Sequence, residues 1–108
     1  MTLVPCPYLG SDVELTDERL AHIINRHPDL LPAYMEQVVR TITDPDEVRR
    51  HSRFPATWVF VRWFDEVRQG KLVVVVIVSD TEQEERHWIV TAYLTRRVRQ
   101  GVVEWKRN

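Results

Sequence analysis

Apolar side chains in the first third of the chain recur at the spacing of one helix face. Ile23 and Ile24 follow Leu20 by three and four residues, which brings all three onto one side of a helix. Thr16 precedes this pattern as a suitable N-cap, because its side-chain oxygen can accept a free backbone N–H of the first turn. Pro28 follows the pattern, and the residue before a proline disfavours helical geometry. These positions predict a first helix between residues 16 and 27.

A second apolar stripe follows after a short linker. Pro32 stands where proline is favoured, in a first helical turn, and Asp44-Pro45 marks the end of the pattern. The stripe consists of Leu31, Met35, Val38, Val39 and Ile42. We therefore expect two helices within residues 16–43, joined as a helical hairpin.

From residue 47 onwards the pattern becomes that of strands. Residues 57–64 are rich in β-branched and aromatic side chains, which favour strands. Residues 71–79 are apolar on both faces, as expected of a central strand that is covered on both sides. Residues 47–51 and 87–94 predict two further strands, so the main strands are expected within residues 47–94.

The two ends of the chain have less regular patterns. Pro5, Pro7 and Gly10 predict an irregular arm over residues 1–12, and residues 13–15 are expected to form a short edge strand. The tail, residues 95–108, is basic and has the pattern of one more strand near its end. Because helices precede strands, we predict one α+β domain over residues 1–108, with two N-terminal helices packed on an antiparallel sheet of about four strands.

The charge of the chain limits the classes of protein to which it can belong. A formal net charge of −1 argues against a protein that coats nucleic acid indiscriminately, since such proteins carry a large positive excess. The charge is nevertheless uneven, because residues 80–85 are acidic and the tail is basic. The basic residues of the tail are Arg96, Arg97, Arg99, Lys106 and Arg107.

The composition also predicts the cellular compartment. The single cysteine, Cys6, fits a reducing environment. The first residues lack the basic and apolar regions of a secretory signal, and the apolar run over residues 72–78 is too short to span a membrane. We therefore expect a cytoplasmic location and no membrane partner.

Polar side chains on the last main strand form one candidate site. Because successive side chains of a strand alternate between faces, His87, Thr91 and Tyr93 are predicted to share one face with Ile89. Three of these four side chains can donate or accept hydrogen bonds. The alternative is an ordinary solvent-exposed sheet face, where such residues are common.

The first helix carries a second candidate site. Arg19, His22 and Arg26 fall within one stripe, because spacings of three and four residues return to the same side of a helix. Arginines beside a histidine suit a phosphate, since the arginines supply charge and bidentate donors and an imidazole can move a proton near neutral pH. A solvated helix flank is the alternative. His27 lies on the apolar face of the same helix. It either belongs to the site or is a core or capping histidine.

Arg62 is unusual because it lies on a strand between Phe60 and Phe64. Either its stem lies over the aromatic rings while its head reaches water, or it clamps a phosphate or carboxylate. His22 and His27 are five residues apart, which is not the spacing of a helical metal pair, and Cys6 is isolated. No glycine-rich phosphate loop or nucleophile-elbow motif is present either. We therefore expect neither a metal site nor a cofactor.

Three segments together resemble a known group of nucleases. The first segment, residues 15–30, contains the runs Leu15-Thr16-Asp17-Glu18-Arg19-Leu20-Ala21-His22-Ile23 and Arg26-His27-Pro28-Asp29-Leu30. The second segment is Thr43-Asp44-Pro45-Asp46-Glu47-Val48, and the third is Trp88-Ile89-Val90-Thr91-Ala92-Tyr93. In order and spacing these segments are similar to the Barnase–EndoU–colicin–RelE-like nuclease superfamily, in particular its small phage- and toxin-associated members. The resemblance covers roughly residues 13–95. It implies two N-terminal helices followed by an antiparallel four-stranded sheet, and RNA cleavage without metal.

The resemblance also implies site residues and a partner. Carried over by position, the helix residues are His22 and Arg26, followed by His27, and the strand pair is Thr91 and Tyr93. Toxin-like relatives imply an antitoxin or immunity protein as a partner. The sequence leaves the oligomeric state and the phage or host origin open.

The resemblance and these residues together lead to the hypothesis of a ribonuclease that forms a 2′,3′-cyclic phosphate. His22 would transfer the proton, shared with His27 or His87, while Arg26 and Arg62 hold the phosphate. Thr91 and Tyr93 would orient the phosphate, with Tyr93 a candidate acid. One alternative is a non-catalytic module that binds RNA or a protein through the same surface. A second alternative is a protein–protein adaptor, in which the acidic loop 80–85 pairs with the basic tail of a neighbouring copy.

Overall fold

Two helices and seven strands follow one another along the chain, and the computed structural model describes all of residues 1–108. In chain order they are β1 (Thr2–Cys6), β2 (Ser11–Leu15), α1 (Asp17–Arg26), α2 (Met35–Thr43), β3 (Glu47–Arg50), β4 (Thr57–Phe64), β5 (Lys71–Asp80), β6 (Arg86–Thr95) and β7 (Val102–Lys106). The predicted α+β class is confirmed.

All the strands join one sheet, in the order β1-β2-β6-β5-β4-β3-β7. Neighbours are antiparallel except β2 and β6, which are parallel and meet where Glu14 faces Trp88. The four predicted main strands are β3 to β6, which lie side by side in the middle. The prediction of about four antiparallel strands is therefore too low in number and wrong for one pair, because three further strands extend the two edges.

The N-terminal segment forms two of these added strands. Val4, Cys6, Val13 and Leu15 are buried at every second position, so β1 and β2 form a hairpin with one face in the core. The prediction of an irregular arm over residues 1–12 is wrong. Residues 13–15 belong to an inner strand rather than an edge, since β1 covers one side of β2 and β6 the other. Pro5 is tolerated because β1 itself is an edge strand.

Both predicted helices are present, with one shifted start. The Thr16 side chain accepts a hydrogen bond from the backbone N–H of Arg19 at 3.1 Å and so caps α1, as predicted. Helix α2 begins at Met35 rather than near Pro32, because the preceding residues form turns that bury Leu30 and Leu31 completely. Neither helix is long and apolar enough to cross a membrane.

The helices divide the sheet into two unlike faces. Helix α1 packs on β6 and α2 packs on β5, β4 and β1, so the helices do not form the predicted helical hairpin. Between helices and sheet lies a core of 18 buried residues, and we call this side the covered face. The opposite side, which we call the open face, has a small cluster of Val59, Val61 and Val74.

A β-bulge in β6 changes which side chains share a face. Val76 pairs with Thr91 and the next residue of β5, Ile77, pairs with Ile89, so that Val90 is left without a partner. Ile89 and Ala92 therefore both point into the core, although they are three positions apart, an odd spacing that would put them on opposite faces of a regular strand. The predicted single face of four residues is wrong, because the extra residue puts His87 and Ile89 on the covered face and Thr91 and Tyr93 on the open face.

Candidate active site

A cleft of about 430 Å³ lies between helix α1 and strand β6. We call it the helix cleft, and it is lined by Arg19, His22, Arg26, His27, Val90 and Thr91. The structure thus brings together five of the predicted site residues, every lining residue except Val90, from two segments about 65 residues apart in sequence. Two histidines, two arginines and a hydroxyl surround the same space.

Helix α1 is anchored by its apolar stripe, and this places its polar flank. Ile23 is 1% exposed, and Leu20 and Ile24 pack against the same core. The stripe of Arg19, His22 and Arg26 therefore cannot enter the core and faces the cleft beside β6.

The bulge in β6 supplies the opposite wall. Val90 and Thr91 are the two residues at which the ladder with β5 shifts, and both line the helix cleft. A bulge bends its strand and changes the direction of the side chains beside it, and bulges are frequent next to active sites. Without the extra residue, Thr91 would lie on the covered face with Ile89. The bulge is therefore what exposes a hydroxyl to the cleft.

The polar groups of the helix cleft are not engaged within the protein. The side chains of Arg19 and Arg26 form no ion pair, and those of His22, His27 and Thr91 form no hydrogen bond to another part of the chain. Two guanidinium groups without carboxylate partners favour an anion, for which arginine offers paired donors. The cleft is therefore suited to hold a phosphate beside two imidazoles.

Tyr93 lies behind the cleft rather than in its lining. Its ring is 6.0 Å from the ring of His27, centroid to centroid, and the planes are tilted by 37°. The Tyr93 hydroxyl accepts a hydrogen bond from the side-chain amide of Gln100. Tyr93 therefore supports His27 with its ring and turns its hydroxyl toward the tail of the chain.

Arg62 is not brought into the helix cleft. It lies on β4, separated from β6 by β5, and its Nη1 is 3.0 Å from the Asp44 carboxylate. The same nitrogen donates to the backbone carbonyl of Asp44, the residue that caps the end of α2. Its guanidinium also lies 5.5 Å from the centre of the Phe64 ring. The contacts of Arg62 thus secure the end of a helix.

His87 is buried away from both histidines of the cleft. It is 3% exposed, its Nδ1 shares a hydrogen bond with the Ser79 hydroxyl, and its Nε2 is 3.0 Å from the Glu85 carboxylate. A serine, a histidine and a carboxylate in series are the groups used in acyl transfer. Ser79, however, is only 8% exposed and lines no cleft, so a substrate cannot reach its hydroxyl.

A second cleft, also of about 430 Å³, lies on the open face beside the end of the chain. We call it the tail cleft. Its basic residues are Arg49, Arg96, Arg97, Lys106 and Arg107, its acidic residues are Asp46 and Glu47, and its apolar floor is Val61, Leu72 and Val98. The basic residues of the tail were recognised in the sequence, but nothing in the sequence placed Arg49 beside them. Only the pairing of β7 with β3 brings these segments together.

Several exposed charges elsewhere are already paired. The Arg86 guanidinium donates to both oxygens of Glu14, at 3.0 and 2.9 Å, and this bonding lowers the pKa of the Glu14 carboxyl. Hydrogen bonds from Arg107 lower the pKa of the Asp44 carboxyl in the same way. These pairs fix β2 to β6 and the end of the chain to the end of α2, and so their arginines are not available to a ligand.

No three His, Cys, Asp or Glu side chains come close enough together to hold a metal ion. Comparisons with protein-family models, with curated proteins and with solved structures found no match.

Proposed function

We propose that this protein is an endoribonuclease that cleaves RNA without a metal ion and leaves a 2′,3′-cyclic phosphate. The observation that supports the proposal most is the helix cleft, in which two histidines, two unpaired arginines and a hydroxyl surround one space. Cleavage of this kind requires a base, an acid and positive charge on the phosphate, and the cleft contains groups suited to each role.

In the proposed reaction, the ribose 2′-oxygen attacks the adjacent phosphorus and the bond from phosphorus to the 5′-oxygen breaks. One imidazole takes the proton of the 2′-hydroxyl, and the other gives a proton to the leaving 5′-oxygen. We assign these two roles to His22 and His27, which line the same cleft. Imidazole is suited to both roles because it gains and loses a proton near neutral pH.

The remaining residues of the cleft would hold the phosphate. Arg19 and Arg26 can donate to its oxygens, and charge placed in advance where charge develops is often the largest contribution to catalysis. The Thr91 hydroxyl would add one more donor. Tyr93 would act as a positioning residue, because its ring packs near His27 while its hydroxyl is bonded to Gln100.

The resemblance of residues 13–95 to the Barnase–EndoU–colicin–RelE-like nucleases supports the same proposal. It suggests a toxin-like protein that acts in the cytoplasm and has an antitoxin or immunity protein as a partner. The carried-over residues are those that line or support the helix cleft, namely His22, Arg26, His27, Thr91 and Tyr93.

The proposal is tested with a labelled RNA of mixed sequence, in excess EDTA, at pH values from about 5 to 9. We expect cleavage with cyclic phosphate ends, and a loss of about 10²–10⁴-fold in rate for His22→Ala. Asn25→Ala is the matched control, because Asn25 is exposed on the same helix but outside the cleft. Circular dichroism of each variant shows that the fold is retained.

Two outcomes would contradict the proposal. If folded protein cleaves no RNA at any pH, the helix cleft is a binding site, and RNA or protein binding without turnover becomes the function. If His22→Ala and Asn25→Ala lose equally little activity, the reaction takes place elsewhere on the molecule.

A further inference from the structure

The tail cleft carries positive charge that the protein does not neutralise. Five basic and two acidic residues line it, which leaves a formal charge of +3. Both acidic residues are already paired: Glu47 lies 2.7 Å from Arg49, and Asp46 lies 3.5 Å from Arg107. Arg96, Arg97 and Lys106 form no ion pair and no side-chain hydrogen bond. These three cations therefore account for the excess.

The segment that carries Arg96 and Arg97 is held in place by several contacts. The Thr95 hydroxyl donates to the carbonyl of Arg97 at 2.9 Å and accepts from its backbone N–H at 3.3 Å. Val98 packs against the small apolar cluster of the open face. Gly101 has a φ of +79°, and an added Cβ would lie 2.9 Å from the carbonyl oxygen of Arg50. The two arginines are thus presented from a fixed turn, which lowers the entropy lost when they bind a ligand.

The helix cleft lies between α1 and β6 and reaches the open face at Thr91, the face on which the tail cleft lies. Thr91 and Tyr93 lie on the open face, as do Val61 and Leu72 of the tail-cleft floor. Adjacent strands are about 4.8 Å apart, so β4 and β6 are separated by roughly 10 Å. Gln100 joins the two sites, since its side chain donates to Tyr93 and its carbonyl accepts from Arg49 at 3.5 Å.

From these observations we propose that the tail cleft binds backbone phosphates of the same RNA strand whose scissile phosphate occupies the helix cleft. The ligand class is single-stranded RNA, and the contacts are made by Arg96, Arg97 and Lys106. This inference rests on the proposed function, because it takes the substrate to be RNA. Arginine and lysine keep their charge and can hold a phosphate backbone without transferring protons. The tail cleft would therefore contribute to the affinity for RNA and to the orientation of the strand, and not to the chemical step.

The test measures binding of an RNA that cannot be cleaved, with a 2′-O-methyl group on every ribose, as a function of salt concentration. The triple variant Arg96→Ala/Arg97→Ala/Lys106→Ala removes the three cations. Because each phosphate contact on a single strand contributes about 0.7 to the slope of log K against log salt, we expect the slope to fall by about 2. We expect the affinity at low salt to fall roughly 10-fold.

The matched control is Arg53→Ala/Lys71→Ala/Arg99→Ala. It makes the same change in net charge with three residues that line neither cleft and form no ion pair. If both triple variants lose the same affinity and slope, only the overall charge matters and the inference is wrong. It is also wrong if the wild-type protein does not bind the RNA.

Failure of this inference and failure of the proposed function are distinguishable. The RNA in the binding experiment cannot react, so its result does not depend on turnover. If the protein binds RNA through the tail cleft but cleaves no natural RNA, the phosphate-binding role of the tail cleft stands and the proposed ribonuclease activity is wrong. If the protein cleaves RNA but the two triple variants bind it with the same affinity and salt dependence, the ribonuclease activity stands and the tail cleft is not a second RNA site.

Discussion

The helix cleft and the tail cleft have the same volume, about 430 Å³, and both are rich in arginine. They differ in one chemical respect, because the helix cleft contains two histidines and the tail cleft contains none. Arginine and lysine keep their charge throughout the physiological pH range, whereas imidazole changes its charge within it. One cleft is therefore equipped to transfer protons, and the other can only attract anions.

The two clefts also differ in how they are built. The helix cleft depends on a helix whose apolar stripe is fixed in a large core and on a bulge in the strand opposite. The tail cleft depends on a turn and on the last strand, every residue of which is exposed. The difference indicates that the placement of the histidines relies on the core, while the cations of the tail cleft rely on exposed segments held by local contacts.

The strongest change predicted is a loss of turnover in the His22→Lys variant. Lysine keeps a positive charge in the helix cleft but is not an effective base near neutral pH, so we expect kcat to fall by about 10²–10⁴-fold. In the tail cleft, Arg97→Lys also keeps a charge, and we expect RNA affinity to fall by less than about fivefold. Single-turnover cleavage and RNA titration measure the two quantities. Full activity in His22→Lys would mean that the helix cleft acts by charge alone.

The next largest effect is a loss of stability in His87→Ala, which distinguishes the buried His87 from the two histidines of the helix cleft. In His87→Ala, Ser79 loses its partner and a space opens beside Trp58, whose ring lies 6.4 Å from the imidazole. We expect the free energy of unfolding to fall by about 1–3 kcal/mol, measured by urea denaturation. Cleavage per folded molecule should remain, because His87 reaches neither cleft. A loss of turnover as large as that of His22→Ala would place His87 in the reaction.

A smaller loss of stability is expected at the turn of the tail cleft. Gly101 has a left-handed backbone, with φ of +79°, so Gly101→Ala should cost about 1–2 kcal/mol of unfolding free energy. The Cβ would also approach the carbonyl of Arg50 to 2.9 Å, which displaces the turn that carries Arg97. We therefore expect weaker RNA binding together with the lower stability. Unchanged binding would show that the position of this turn does not matter.

The smallest effect is a dependence of stability on acid. The pKa of the Asp44 carboxyl is lowered by hydrogen bonds from Arg107, so its ionised form stabilises the fold. That contribution is complete above the ordinary carboxyl pKa of about 3.9 and is lost as the pH falls through the lower folded value. Denaturation of wild type and Asp44→Asn should therefore differ at pH 7 and converge in strong acid. A difference that grows on acidification would contradict this assignment.

Local patterns in the sequence predicted the helices and the central strands. The stripe of Leu20, Ile23 and Ile24 and the cap at Thr16 place α1 correctly, and the apolar run of residues 71–79 gives β5. The prolines near the N-terminus were misleading, because a proline on an edge strand leaves the sheet intact. In β2 the alternation of Val13 and Leu15 with Asp12 and Glu14 is visible in the sequence, whereas β1 is recognised only from its pairing with β2 and the burial of Val4 and Cys6.

The candidate site was predicted in its residues but not in its geometry. That His22 and Arg26 lie on one polar flank of a helix follows from the sequence alone, because the helical repeat is a local property. That Thr91 faces this flank while His87 is buried depends on the strand pairing, since one unpaired residue, Val90, reverses the faces of β6. Likewise, only the pairing of β7 with β3 brings Lys106 near Arg97. Register and strand order depend on contacts between distant segments, and these are fixed when the whole sheet forms.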